Sequence, residues 1–217
     1  MKKLLIVTGP QGSGNHLFSR MLSATKSVGG WKSLLDKYWV PSDEEPFAEY
    51  WVYPERLTAE QFEGADYWLA NVSCPFFYDG TRYVPKILEL AQQAKGLGVD
   101  VKIAIICRDR DINREQQLRV RKEHTTPIAQ EYYYNTLLPS DFPVHFISTE
   151  ALFLHRVHYL QYLSRILAFP IDVTDANVFN FIDVNPNAKY VKHVDEYWLD
   201  QEVWHGVQPK SARGLDK

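Results

Sequence analysis

Residues 4–22 read LLIVTGPQGSGNHLFSRML, an apolar run, a glycine-rich turn and an amphipathic stretch with no spacer between them. Few folds open this way. The run through Leu4, Leu5, Ile6 and Val7 reads as a strand covered on both faces, as in a parallel sheet. Leu17, Met21 and Ala24 then recur at helical spacing. Between them, Gly9, Gly12 and Gly14 allow main-chain N–H groups to converge, and the start of the helix adds its partial positive charge. That combination suits an anionic group, phosphate above all. The alternative is a tight strand-to-helix turn that holds no ligand.

The rest of the chain extends the same pattern. Segments 67–72, 101–107 and 144–148 read as further buried strands beside 3–8. Helical spacing appears in Val84, Ile87, Leu88, Ala91 and Ala94, and again in Phe153, Val157, Leu160 and Leu167. Alternating strands and helices predict an α/β three-layer sandwich with a mostly parallel central sheet. At 217 residues, one domain spanning 1–217 is the expectation, because cores divide beyond roughly 250–300 residues. Two stretches fit less well. An insertion at about 29–64, rich in Trp, Tyr and Pro, reads as a substrate wall or as packing over the sheet, with one more strand near 37–40. The segment at about 170–217 is irregular and polar.

Charge and composition exclude several classes. A net charge of −3 argues against a broadly basic nucleic-acid partner. No run approaches the roughly 7–15 apolar residues of a secretory core or the about 20 of a spanning helix. Two cysteines, Cys74 and Cys107, are too few for a disulfide framework or a Cys-based zinc site. A cytoplasmic protein without membrane insertion is the expectation, with both cysteines read as small buried residues.

The glycine turn departs from the Walker A pattern. Gly9 and Gly14 align with its two glycines, but Asn15 stands at the lysine and His16 at the Ser/Thr. The point charge on the β/γ-phosphates and one Mg²⁺ ligand are therefore missing, which disfavours an ATP or GTP hydrolase. A second anion-binding feature lies at 102–122, KIAIICRDRDINREQQLRVRK. Arg108 ends the predicted strand there, at the edge where open α/β sheets bind ligands, and its planar fork fits phosphate. Arg119, Arg121 and Lys122 read as a solvated helical face.

Taken together, Ser13-Gly14-Asn15-His16 followed by Arg20, and the strand ending in Arg108, resemble sulfotransferases. These are P-loop NTPase-like enzymes that use 3′-phosphoadenosine 5′-phosphosulfate (PAPS). The resemblance covers residues 3–170 as an architecture. It implies that Gln11, Gly12, Ser13, Gly14, Asn15 and His16 hold the 5′-phosphosulfate, and that Arg108 with Gln116 holds the 3′-phosphate. The family's loop Lys or Arg falls on Gly12, its strand-end His on Ser73, and its 3′-phosphate Ser on Gln116. The family's basic element near the C-terminus corresponds to Lys210–Gly214.

Sulfuryl transfer needs in-line positioning, charge stabilisation and a base for the acceptor hydroxyl. His16 and Arg20 are the catalytic candidates, His16 either as a neutral base or as a phosphate contact. Glu44, Glu45 and Glu49 are candidate carboxylate bases or plain solvated acids. His124, His145, His155 and His158 show no metal-ligand spacing, and no metal is expected. The leading expectation is sulfuryl transfer from PAPS to the hydroxyl of a small-molecule or carbohydrate acceptor. A divergent nucleotide or nucleoside kinase and a non-catalytic P-loop nucleotide-binding module are the rivals.

Overall fold

The computed structural model describes residues 1–31, 45–183 and 187. Its core is a five-stranded sheet in the order β2-β3-β1-β6-β7. The strands are β1 (Lys3–Pro10), β2 (Val28–Gly30), β3 (Tyr67–Cys74), β6 (Asp100–Cys107) and β7 (Val144–Ser148). A separate hairpin joins β4 (Phe76–Tyr78) to β5 (Thr81–Tyr83). Every pairing in the main sheet is parallel, with Leu4 opposite Trp68 on one side and Val101 on the other. All four strands that the hydropathy pattern predicts are present. β1 lies at the centre, with Leu4 to Val7 apolar towards both layers and Thr8, also buried, bonded to the Tyr133 hydroxyl at 3.0 Å.

The strand period of two sorts those residues into two cores. Leu4, Ile6, Ala70, Val72, Ile103 and Ile105 face one cluster, while Leu5, Val7, Leu69, Ala104 and Ile106 face the other. The first face is covered by α2 (Ile87–Gly96) and α4 (Thr126–Tyr132), the second by α1 (Asn15–Ser23), α5 (Thr149–Leu167) and α6 (Ala176–Ile182). This is a three-layer α/β arrangement with a parallel central sheet. Its parallel strands bring Pro10, Cys74, Cys107 and Ser148 to one edge of the sheet, and α3 (Arg110–Arg121) packs along that edge.

Several local expectations change. Val84 is exposed and α2 begins only at Ile87, because the β4–β5 hairpin and Pro85 come first. Within the insertion, Trp31, Phe47, Trp51 and Phe62 are buried in the two cores, so these aromatics pack and do not wall a substrate. Three short 3₁₀ turns between Ala48 and Phe62 carry Trp51 and Phe62, and Phe47 stands just before the first of them. The strand expected near 37–40 lies outside the described residues. In the C-terminal region α6 forms despite weak periodicity, with Val178 and Ile182 buried against the sheet layer.

Cys74 is buried as expected, but Cys107 is exposed. Its position explains this: the last residue of β6 projects beyond the layers. Among the described residues, no helix is long and apolar enough to cross a membrane.

Candidate functional site

β1 ends in the turn Gly9–Gly14, with Gly12 at φ 81° and Gly14 at φ 112°. A side chain is strained at either value, so these two glycines shape the turn. Ser13 N–H closes it by donating to the Pro10 carbonyl at 3.0 Å.

The loop is held from outside by its carbonyls. Gln117 Nε2 donates to the Gln11 carbonyl at 2.6 Å. The Asn113 amide nitrogen lies 3.1 Å from the Gln11 carbonyl and 3.2 Å from that of Gly12, with its oxygen turned to Thr126 Oγ1. Arg108 Nη1 also donates to the Gly12 carbonyl. Thr149 Oγ1 donates to the Ser13 carbonyl at 2.7 Å. In a trans peptide the carbonyl of one residue points opposite to the N–H of the next. With the carbonyls of Gln11, Gly12 and Ser13 drawn towards α3 and α5, the N–H groups of Gly12 and Gly14 turn to the other side. The N–H groups of the first turn of α1 have no intrahelical acceptor, and Gly14 supplies no side-chain cap there. By contrast, Asp109 caps α3 through the N–H groups of Asp111 and Ile112, and Ser148 caps α5 through that of Ala151.

Asn15 occupies the Walker lysine position, yet its side chain folds back over the strand ends. Nδ2 lies 3.1 Å from Ser73 Oγ, 3.3 Å from the Pro10 carbonyl and 3.4 Å from both the Gly9 carbonyl and Ser13 Oγ. Its buried Oδ1 has no hydrogen-bond partner among the described residues. Gln11 likewise turns inward, its Oε1 accepting from Thr125 Oγ1 at 3.3 Å.

His16 sits in the first turn of α1, its ring 6.0 Å from the buried Trp31 indole. Burial, then the positive charges of Arg20 and Arg121, hold its pKa below the usual value, so the imidazole is neutral at pH 7. Arg121 is exposed, as the solvated face predicts, and also lies within electrostatic range of His16. The Arg20 guanidinium lies over the Phe181 ring of α6 at 5.5 Å.

At the end of β6, Arg108 reaches the loop. Its Nε donates to Asn187 Oδ1 at 2.8 Å, and Nη1 to Gln116 Oε1 as well as to the Gly12 carbonyl. Asn187 in turn donates to Glu150 Oε1 at 3.0 Å, and that oxygen also accepts from Asp109 N–H at 2.9 Å. The structure therefore gathers residues 11–16, Arg108 and Gln116 at one edge, with His16 and Arg20 on the helix that follows.

Other candidates stand apart. Glu45 is buried, and its carboxylate accepts from the N–H groups of Phe47 (3.0 Å) and Asn71 (3.3 Å) and from the Trp51 indole (3.3 Å). Burial outweighs these three donors and pushes its pKa up to about 8. It is thus neither a solvated acid nor bonded to the loop. Glu49 lies in the first 3₁₀ turn; Glu44 and Lys210–Gly214 lie outside the described residues. Among the described residues, no hydrogen bond joins His124, His145, His155 or His158 to the loop, and no group of three His, Cys, Asp or Glu side chains is arranged to hold a metal ion.

Sequence reasoning missed Asn113, Gln117, Thr149 and Asn187. The first two carried a readable signal: amides at i and i+4 on one helix face after an Asp cap. Thr149 and Asn187 carried none, since only the fold brings Thr149 to the loop and Asn187 to Arg108.

No family model matches the chain, and no curated protein matches it. Among solved structures, the mouse sulfotransferase SULT7A1 complexed with PAP (3′-phosphoadenosine 5′-phosphate) is 14% identical, with a TM-score of 0.44, covering 99% of this chain and 81% of its own. An unliganded sugar kinase from Janibacter sp. is also 14% identical, with a TM-score of 0.37, covering 82% of this chain and 98% of its own. Both likenesses are distant.

Proposed function

We propose that the chain is a sulfotransferase-like protein that takes a sulfuryl group from PAPS to an acceptor hydroxyl. The observation that supports this reading is the grip on three consecutive loop carbonyls, which turns the N–H groups of Gly12 and Gly14 away from Gln117 and Thr149 and leaves them for an anion. Those amides, with the first turn of α1, would hold the 5′-phosphosulfate. Arg108 and Gln116, already in contact, would hold the 3′-phosphate. PAPS would supply the sulfuryl group. His16, kept neutral, is suited to take the acceptor's proton, and Arg20 to stabilise charge on the departing phosphate. A small-molecule or carbohydrate acceptor in a cytoplasmic setting fits this arrangement.

The kinase reading requires a cation on the β/γ-phosphates. Asn15, at that position, points back to Ser73 and the ends of β1. A thermal-shift comparison of PAP, PAPS, ATP with Mg²⁺ and GTP with Mg²⁺ separates the alternatives. Stabilisation by PAP and PAPS is expected. Stabilisation by ATP only with Mg²⁺ would replace this reading with the kinase. PAP binding without sulfuryl transfer to any of a broad acceptor panel would favour a nucleotide-binding module.

A further inference from the structure

Asn15 Nδ2 faces four oxygens at 3.1–3.4 Å, the carbonyls of Gly9 and Pro10 and the hydroxyls of Ser13 and Ser73. An amide nitrogen carries two hydrogens, so this end of the side chain is fully committed to the strand ends. The other end is not. Asn15 Oδ1, Ser19 Oγ and Asn71 Oδ1 are all buried without a hydrogen-bond partner among the described residues. The three residues are 4%, 0% and 7% exposed, so bulk solvent does not satisfy them. Each buried polar atom left unpaired costs more than a made hydrogen bond returns.

Backbone geometry places the three on one seam. Leu69 packs with Phe18, Met21 and Leu22 of α1, and the strand period of two sends Asn71 and Ser73 to that same face of β3. Asn15 is bonded to Ser73 at the end of β3, and α1 runs back over the sheet from there. One turn on, about 6 Å, comes Ser19; two residues back along β3, about 7 Å, comes Asn71. Ser19 therefore stands beside Asn71 as Asn15 stands beside Ser73. A water molecule donates two hydrogens and accepts from a hydroxyl. Two amide oxygens and one hydroxyl are its complement, and three bonds are usual for a buried water. None of the three side chains carries a charge that would match a metal ion or an anion.

We propose that an ordered internal water bridges Asn15, Ser19 and Asn71 between α1 and β3, and that it positions the Asn15 amide. With Oδ1 held by this water, Nδ2 stays on the strand ends and does not swing towards the anion site. Asn15 is thus a positioning residue, and the seam is a binding site for water. The far end of the bridge is itself anchored, because Glu45 accepts from the Asn71 N–H at 3.3 Å. The proposal is independent of which nucleotide the loop takes.

Diffraction from crystals of the full chain, at a resolution that orders internal waters, reads the seam directly. A density peak within hydrogen-bond distance of Asn15 Oδ1, Ser19 Oγ and Asn71 Oδ1 is expected. No peak, or Ser19 Oγ donating directly to either amide oxygen, overturns the proposal. A double-mutant cycle of Ser19→Ala and Asn71→Leu in denaturant unfolding is the second readout, in which the helix propensity of alanine cancels. Either replacement alone breaks the bridge, so the two losses in the folding constant should fall about two- to tenfold short of multiplying. Losses that multiply overturn the bridge. The positioning role is read by NMR: in Ser19→Ala the Asn15 side-chain amide protons should shift and exchange faster with solvent. Unmoved resonances would overturn that role.

Discussion

Asn15 Nδ2 lies 3.1 Å from Ser73 Oγ, so the residue at the Walker lysine position and the residue at the sulfotransferases' strand-end histidine position are hydrogen-bond partners. The two departures from motif are one local structure. A lysine at 15 would extend towards a ligand, whereas this amide ties the loop to the end of β3. A double-mutant cycle of Asn15→Ala and Ser73→Ala, followed by denaturant unfolding, should show a coupling of about 0.5–1.5 kcal/mol. A coupling near zero would mean that the contact does not hold the loop.

Arg108→Ala should weaken PAP binding by about ten- to a hundredfold, the range for a hydrogen-bonded charged group. Melting without ligand should fall only modestly, since Gln117, Asn113 and Thr149 still hold the loop. Unchanged PAP affinity would remove Arg108 from the site.

His16 gives a pH dependence of known sign. Its folded pKa is lowered, so the unfolded chain takes up the proton first as pH falls. The contribution is fully present above the unfolded value of about 6.5 and is lost as pH falls below it towards the folded value. His16→Gln should flatten that acid-side decline in melting temperature. If the imidazole is the base, kcat/KM for sulfuryl transfer in the unaltered protein should hold to a pH below 6.5 before it drops.

Glu45 predicts the opposite slope. Its folded pKa is raised to about 8, so the folded state binds the proton more tightly than the unfolded chain. Stability from the neutral carboxyl is full below the unfolded value of about 4.5 and declines as pH rises to about 8. The decline is at most on the order of 5 kcal/mol. Glu45→Gln should flatten it, even if the variant is less stable at low pH for want of one acceptor oxygen. Parallel pH profiles for the two proteins would show that Glu45 ionises freely.

Gly12→Ala tests the shape of the turn. A Cβ there would lie 3.2 Å from the Asn113 side-chain amide and from Gln116 Cδ, at a φ of 81°. The left-handed conformation alone costs about 1–2 kcal/mol. PAP affinity should fall more than stability does, because the strain falls on the loop; equal affinity in both proteins would place the ligand elsewhere.

Local chemistry in the sequence was enough for the parallel core, the glycine turn and Arg108's place at a strand end. Period-two burial, left-handed glycines and an apolar run are properties of neighbouring residues, and β1 with its turn displays all three. Tertiary structure alone decided the rest. The placement of Glu45 against Asn71, of Arg121 within electrostatic range of His16, of Thr149 against the loop and of Asn187 against Arg108 brings together residues from 26 to 136 positions apart. Such contacts arise from the order in which strands enter the sheet, and no local periodicity encodes that order.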